Sequence, residues 1–297
     1  MTASAGPVLI TGGAGFLGQA LTRALLGRGE TVVTVDLHTA AGAPHPSLSR
    51  ETGDIRDLDR MQAIADRHGV RAIVHLAALV IPACRTDPAL GAEVNVIGHI
   101  NMMELARRGG IARFVYTSSI AARPRAPYNS PVNLYGVFKQ CCEEISKVYA
   151  LDHGVPSIGL RPNVVYGPGR ENGETAAVTL AMRAAAEGRA YEMPFSGAMC
   201  FQHLDEVIDI LLRCLAVEND APVVSDLTTR TNSIADVIAA IRAVRPDARI
   251  TARPDHRAAP GGLDNAALRA LLGDWQGVDL AEGVRRTIAA FERDRVP

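Results

Sequence analysis

Aromatic side chains are scarce here, 4% of 297 residues, and cysteine is both rare and odd in number. Cys84, Cys141, Cys142, Cys200 and Cys214 contain no C-x-x-C pair, and two are adjacent, which excludes a disulfide framework and fits reduced thiols in a cytoplasm. No window of about 18 apolar residues occurs, so no transmembrane helix is expected. Met1–Gly6 is too short and too uncharged for a signal peptide ahead of the first apolar run at Pro7. Charge of one sign never accumulates: 31 basic and 32 acidic side chains leave a formal net charge of -1, and neither nucleic acid nor an anionic membrane is an expected partner. The eight histidines form no H-E-x-x-H or paired Cys/His spacing, so no metal site is expected. What remains is an ordinary apolar content and room for one large domain or two modest ones.

One stretch organises the chain. Pro7-Val8-Leu9-Ile10-Thr11 is an apolar run, Gly12, Gly15 and Gly18 follow, and Phe16, Leu17, Ala20, Leu21, Ala24 and Leu25 recur at helical spacing to Gly27. A strand, a tight turn and a helix N-terminus in a dozen residues suit a pyrophosphate, which can lie against bare backbone and the positive end of a helix. The spacing G-x-x-G-x-x-G departs from the commoner G-x-G-x-x-G fingerprint, so its meaning rests on its surroundings.

Those surroundings alternate. Thr31–Asp36 is a β-branched strand closing on an acid; residues 38–50, with Pro44 and Pro46, read as a surface loop; and an amphipathic helix then runs to His68-Gly69. A strand over Arg71–Ala78, a helix over about 90–108, a strand at Arg113–Ser118, a long helix over Leu134–Asp152 and a strand at Pro156–Arg161 complete a doubly wound α/β half with a parallel sheet. Beyond Arg161 the pattern changes. Residues 166–175 read as an irregular loop, helices are expected over about 176–187, 205–216, 264–272 and 279–292, Ser233 caps another through Val244, and Phe201–Leu204 and Val223–Thr228 read as strands.

Three constellations carry chemistry. Asp36, eighteen residues past Gly18, can accept both hydroxyls of an adenosine ribose and would repel a 2′-phosphate, favouring NAD over NADP; the plain alternative is an acid at a strand end. Asp54-Ile55 fits an adenine contact or, equally, a helix-start carboxylate. Tyr135 and Lys139 share a helix face at i and i+4, so a fixed ammonium there favours the phenolate and makes the tyrosine a candidate acid/base. A lone Tyr-x-x-x-Lys is usually a solvated helix face, but here it follows a glycine-turn nucleotide fold. Thr117-Ser118-Ser119 ends the preceding strand with hydroxyls that can hold a reacting oxygen or merely cap a turn.

Together these residues resemble the extended short-chain dehydrogenase/reductase family, which includes nucleotide-sugar epimerases and dehydratases. The likeness runs through Thr11–Gly18, Asp36, Gly53-Asp54-Ile55, His75-Leu76-Ala77-Ala78, Asn95, Tyr116–Ser119, Tyr135-x-x-x-Lys139, Arg161-Pro162, Val165–Pro168 and His203–Val207 to Leu271-Leu272-Gly273 and Glu282-Gly283-Val284. The resemblance implies Ser119 as the catalytic hydroxyl, Tyr135 as acid/base and Lys139 as its electrostatic partner. It implies NAD held by Gly12, Gly15, Phe16, Leu17, Gly18, Asp36, Asp54, Ile55, Leu76, Ala77, Ala78, Asn95, Thr117, Tyr135, Lys139 and Pro162. It also implies a Rossmann domain over residues 1–162 and, over 163–297, a smaller, mainly substrate-binding α/β lobe, with about 200–230 returning to the Rossmann sheet. Such relatives often dimerise by packing the helices that correspond to about 90–108 and 134–152 into a four-helix bundle; the stripe Phe138, Cys142, Ile145 and Tyr149 would serve that purpose or face the core.

Two departures bear on the substrate. Relatives that bind nucleoside-diphosphate sugars usually carry Asn directly before Val-Tyr-Gly, where this chain has Val164, and an Arg-Asp pair where it has Met199 and Cys200. A diphosphate needs such charge-assisted contacts. The leading expectation is therefore a cytoplasmic NAD-dependent dehydrogenase acting on a secondary hydroxyl of a small sugar, sugar acid or polyol. Candidate substrate contacts are Ser119, Asn133, Arg170, Thr175 and His203. The rivals are an epimerase with the same Ser/Tyr/Lys set and a non-catalytic nucleotide sensor; a dehydratase would need an acid pair where Ile120-Ala121 stands.

Overall fold

Short β-branched and aliphatic runs build the frame of this computed structural model, which describes residues 6–39, 42–257 and 261–294. Val8–Thr11 (β1), Val32–Asp36 (β2), Leu48–Thr52 (β3), Ala72–His75 (β4), Arg113–Thr117 (β5) and Ser157–Arg161 (β6) join Pro222–Asp226 in one seven-stranded sheet. From edge to edge the order is Pro222–Asp226, β6, β5, β4, β1, β2, β3, and every pairing is parallel. A parallel sheet is covered on both faces, so its inner strands read as continuous apolar runs; β1 and β4 are buried at all positions. The order reverses between β1 and β4. At such a switch point the loops leaving the two strands diverge and leave a crevice at their carboxyl ends.

The chain divides into two compact units. The first comprises residues 6–161 with Ile208–Asp226 and Asn265–Asp274, the second Pro162–Val207, Leu227–Asp264 and Trp275 onward. In the first, Phe16–Leu26 (α1) and Leu58–His68 (α2) follow β1 and β3; Asp57 caps α2 through the Arg60 amide, and the left-handed Gly69 ends it. Leu9, Val33, Met61, Ile64, Ile73, Met102, Leu105 and Phe114 fill the core on one face of the sheet. Fully burying each such side chain is worth about 1.5–3 kcal/mol.

Three local expectations need correction. The loop expected over 38–50 gives way to β3 at Leu48: Leu48, Arg50 and Thr52 alternate with polar residues on an edge strand that is only half-buried, so no apolar run announces it. Residues 40–41 of that loop, and residues 1–5, on which the expectation of no signal peptide fell, lie outside the described residues. The strand expected to reach Ala78 ends at His75, where backbone leaves the sheet for the loop beneath Thr11. The helix expected over about 90–108 is three pieces, Pro88–Ala92 (α4), a π turn at Glu93–Ile97 and Gly98–Gly109 (α5), preceded by an unanticipated short helix, Ile81–Thr86 (α3). The π turn widens the ladder, and there the Asn95 carbonyl accepts from Cys142 Sγ at 3.0 Å.

Leu134–His153 (α6) is the long helix, capped by the Asn133 side chain on the Gly136 amide. Its stripe Phe138, Cys142, Ile145 and Tyr149 is buried or half-buried, with Tyr149 donating to Glu104 of α5 at 3.1 Å. The outward stripe is instead Leu134, Val137, Cys141, Val148 and Leu151.

In the second unit, Val164–Tyr166 pairs in parallel with Phe201–His203, Ala198–Met199 antiparallel with Asn232–Ser233, and Tyr191–Met193 in parallel with Ile250–Ala252. Tyr166, expected in a loop, is therefore a buried strand residue. Helices Ala177–Ala186, Ile234–Val244 and Leu280–Arg293 share its core; Ser233 and Asp236 cap the middle one reciprocally. Strands of two or three residues offer no periodicity to read, whereas the capped helix does.

Two histidines lie buried beneath the sheet of the first unit. His75 Nδ1 hydrogen-bonds Thr11 Oγ1 at 2.7 Å, His99 Nε2 hydrogen-bonds Ser146 Oγ at 2.9 Å, and the ring centroids are 5.5 Å apart. Burial holds His75 well below the ordinary imidazole range and pushes His99 down to about 3, and in each case the Lys139 charge adds to the effect. The unfolded chain therefore binds protons the folded one refuses. Stability is fully present above about pH 6.5 and is lost as pH falls from there toward the folded values, by about 1.4 kcal/mol per pH unit for each histidine. Thermal unfolding between pH 7 and 5, above the range where carboxylates titrate, should show this slope; His99→Gln should flatten it, and a pH-independent melting temperature would refute the assignment.

Candidate active site

The glycine turn is built by close approach. Gly12 has φ +70°, and a Cβ there would stand 2.8 Å from the Ala77 amide. At Gly18 a Cβ would lie 2.2 Å from the Gly12 carbonyl oxygen, and at Gly13 it would strike Thr34. The turn thus packs against the loop leaving β4 and against β2, at the switch point. The Thr11 carbonyl and hydroxyl accept from the Leu76 and Ala77 amides at 3.2 and 3.3 Å, tying the two loops together. Gly15 caps α1 without a side-chain hydrogen bond, as an anion-receiving helix end requires, and Phe16 and Leu17 open that helix half-buried.

Asp36 ends β2 beside this turn. Its carboxylate accepts from the Ala14 amide at 3.0 Å and from the Leu37 amide at 2.8 Å, which fixes its orientation at the strand end. Asp54 is held by Arg56, whose guanidinium and amide keep its carboxyl below the ordinary range. Ile55 is buried and meets Gly98, where a Cβ would come within 2.5 Å. Asn95 grips the loop after β4 from the π turn: its side chain accepts from the Leu79 amide at 3.1 Å and donates to the Leu79 carbonyl at 3.0 Å. Ala77 and Ala78 lie half-buried just before that clamp.

Lys139 is buried, and its Nζ donates to the Thr117 carbonyl at 2.7 Å while standing 5.9 Å from the Tyr135 ring centroid. The helix turn between the two residues thus puts phenol and ammonium in one space at the end of β5. Gly136 lets α6 approach closely, since a Cβ there would lie 2.2 Å from the Ala121 carbonyl oxygen. Ser119 opens the short turn Ile120–Ala122, and its Oγ accepts from the Ala121 amide at 3.1 Å. Ser118, the neighbouring hydroxyl, is buried and points away, donating to Glu143.

The other expected contacts fall as follows. Asn133 spends its side-chain oxygen on the α6 cap. Pro162, Arg170, Thr175 and His203 belong to the second unit. Pro162 and Thr175 are half-buried, and Arg170 follows a turn closed by its amide on the Gly167 carbonyl. His203 is buried against the Tyr166 ring, accepts from the Asp205 amide through Nδ1, and has Nε2 without a protein partner among the described residues. Sequence reasoning passed over Glu143 and Asp226, both buried and both bound to Arg161. The signal was present: Tyr135, Lys139 and Glu143 repeat at four-residue spacing on one helix face.

A parallel sheet with a glycine turn at its switch point and an acid closing the next strand defines a dinucleotide-binding α/β protein. The profile of the NAD dependent epimerase/dehydratase family matches residues 8–225, and the chain belongs to that family, within the extended short-chain dehydrogenase/reductases. It is similar to UDP-glucose 4-epimerase of Mycolicibacterium smegmatis, 29% identical with 95% of this chain and 97% of that protein covered. It is 33% identical to UDP-glucose 4-epimerase of Rhizobium meliloti over 52% of this chain, which spans half the length of that relative. Its fold matches UDP-glucose 4-epimerase of Thermotoga maritima (TM-score 0.83, 22% identity, 97% and 99% covered) and an L-threonine dehydrogenase from Cupriavidus necator (0.85, 24%, 96% and 99%). NAD is the family's cofactor, and a glycine turn at the switch point, packed so closely on backbone that Gly12 and Gly18 leave no room for a Cβ, fits it.

Gly18→Ala tests that turn. Its methyl must displace backbone, at a cost of about 1–3 kcal/mol. The variant should melt lower and bind NAD at least about tenfold more weakly, a change of about 1.4 kcal/mol; calorimetric titration giving parental affinity would contradict it.

Proposed function

We propose that this enzyme oxidises a secondary hydroxyl of a small sugar, sugar acid or polyol. The observation that carries the reading is the buried Lys139 pinned to the Thr117 carbonyl beneath the Tyr135 ring. A cation fixed there favours the phenolate over the phenol, which suits Tyr135 to take the hydroxyl proton. Ser119 would hold the substrate oxygen, with its own orientation set by the Ala121 amide. NAD, when bound, supplies the hydride acceptor. Gly12, Gly15, Phe16, Leu17 and Gly18 would receive its pyrophosphate, Asp36 its adenosine ribose, Asp54 and Ile55 its adenine. Leu76, Ala77, Ala78, Asn95, Thr117, Lys139 and Pro162 would line its nicotinamide half.

Burial in the second unit supports a substrate without a diphosphate. Val164 and Met199 are buried among apolar side chains, Cys200 is buried with its Sγ 3.7 Å from the Thr231 hydroxyl, and none brings a cation. That unit serves, in this reading, as the substrate-binding lobe, with Arg170, Thr175 and His203 as its contacts and Asn133 contributing from the α6 cap. A second reading, epimerisation of a nucleotide sugar by the same Ser/Tyr/Lys set, is favoured by the nearly full-length likeness to the M. smegmatis epimerase.

Stoichiometry separates the two. With aldoses, uronic acids, sugar acids and polyols, NADH should accumulate with substrate consumed; turnover of UDP-sugars without net NADH would establish the epimerase instead. Tyr135→Phe should lower turnover by about 10²–10⁴-fold while retaining NAD affinity, since it removes proton transfer and nothing else. Substantial residual activity would sink the mechanism.

We also propose a cytoplasmic homodimer built by packing α5 and α6 into a four-helix bundle. Val137, Cys141, Val148 and Leu151, the last 81% exposed, form an apolar stripe on α6, and Ile97 is exposed at the start of α5. Light scattering should give twice the chain mass, and Val148→Glu combined with Leu151→Glu should give one; an unmodified chain that elutes as a monomer would end this reading.

A further inference from the structure

We infer that Arg161 is a positioning residue whose task is to occupy Glu143 and so keep that carboxylate from neutralising Lys139. The inference deepens the dehydrogenase reading of the Tyr135–Lys139 pair and rests on it.

Glu143 stands one helical turn after Lys139, and Lys/Glu pairs at i, i+4 interact across a helix face. Both side chains are buried, 4% exposed for Lys139 and 1% for Glu143. Their hydrogen-bond partners are neighbours in sequence: Lys139 Nζ donates to the Thr117 carbonyl, and Ser118 Oγ donates to Glu143 Oε1. Left to itself, a buried carboxylate in that position would recruit the ammonium. Among the described residues no ion pair joins them. Arg161, at the end of β6, takes both carboxylate oxygens instead, Nε on Oε1 at 2.7 Å and Nη2 on Oε2. The planar guanidinium suits this bidentate grip in a way a lysine cannot.

The rest of the surroundings are arranged to the same end. On the far side of Arg161, Asp226 lies 3.7 Å from Nη1 and is shared with Arg123 at 3.5 Å, so two carboxylates meet two guanidinium groups. Among the described residues, the Lys139 charge also acts on His75 on β4, His99 on α5, Cys84 on the short helix Ile81–Thr86 and Cys142 on α6. Burial keeps both imidazoles and both thiols in their neutral forms near pH 7. Lys139 is then the one cation of this cluster whose hydrogen bond goes to a neutral carbonyl, and its field falls on the Tyr135 ring 5.9 Å away.

The test follows the ionisation of the Tyr135 phenol directly, by ultraviolet difference titration with the matching Tyr135→Phe variant as blank, in protein without added substrate. Arg161→Met should move the midpoint upward by about one to two pH units, the effect of a carboxylate freed within a few ångströms. The alkaline rise of turnover should move with it. The double variant Glu143→Gln/Arg161→Met removes both charges, an exchange buried pairs tolerate, and should return the midpoint to within about half a unit of the parent. Arg161→Lys, which keeps a cation beside Glu143, should shift it by less than half as much as Arg161→Met. An unmoved midpoint in Arg161→Met, or a double variant as displaced as the single one, would overturn the inference, because a purely structural role for Arg161 predicts no rescue on losing Glu143 as well. Should Arg161→Met fail to fold, a parental midpoint in Arg161→Lys overturns it and an upward shift relieved by adding Glu143→Gln supports it. Failure of the dehydrogenase reading is separate: substrate would then turn over without net NADH even while the phenol titration responds as described.

Discussion

A buried ammonium needs a partner, and in this protein the partner is a backbone carbonyl. Lys139 is nearly inaccessible and its Nζ rests on the Thr117 oxygen. An unpaired buried charge is so costly that the surroundings must be organised around it. The end of β5 has to lie against α6 at one height, which is why Gly136 carries no Cβ over the Ala121 carbonyl. The neighbouring imidazoles have to remain neutral, and the neighbouring carboxylate has to be engaged elsewhere. Stability and the proposed chemistry draw on one arrangement: the buried histidines that make the fold acid-sensitive are the same groups that leave the lysine's field uncancelled.

The nucleotide side of the first unit follows from sheet order. β1 and β4 are neighbours at the point where the order reverses, so the loops leaving them must separate, and the glycines permit backbone to pass within contact distance of Ala77 before they do. Thr11 and Asn95 then secure the β4 loop from opposite sides, one through β1 and one through the π turn. The π turn is thereby explained as more than an irregularity. It presents the Asn95 side chain to Leu79 and its carbonyl to Cys142 at once, which a regular helix with every carbonyl engaged would not do.

How much of this was legible depended on how far each signal reached along the chain. The glycine turn, the strand-closing Asp36 and the Tyr135/Lys139 spacing are local, and a local pattern backed by alternating strands and helices identifies a dinucleotide fold before any coordinate is seen. Edge strand β3 was missed because half-burial leaves its residues polar, and the short strands of the second unit other than Phe201–His203 were missed because alternation needs length to show. The π turn carries no propensity signature at all. Nothing local along the chain says what Arg161 binds, and only the fold, which brings β6 beside α6 and Pro222–Asp226, assigns it to Glu143 and Asp226.

The same reasoning bears on the substrate proposed for the second unit. That unit's sequence positions that hold polar groups in diphosphate-binding relatives are occupied by Val164, Met199 and Cys200; all three are buried, the first two within the apolar core and the third beside the Thr231 hydroxyl. An absent cation is not restored by a nearby one when that neighbour is already committed: Arg230 is held by Glu206 and Arg257 by Glu174, so drawing either toward an anion would strand a carboxylate. Glu206 is the stronger restraint, being buried and also accepting from the Val278 amide at 3.0 Å. Leaving it unpaired would cost more than a solvent-exposed phosphate contact returns. A neutral or singly charged substrate asks for no such exchange, and that difference is the ground on which the proposed dehydrogenase reading prefers one to a nucleotide sugar.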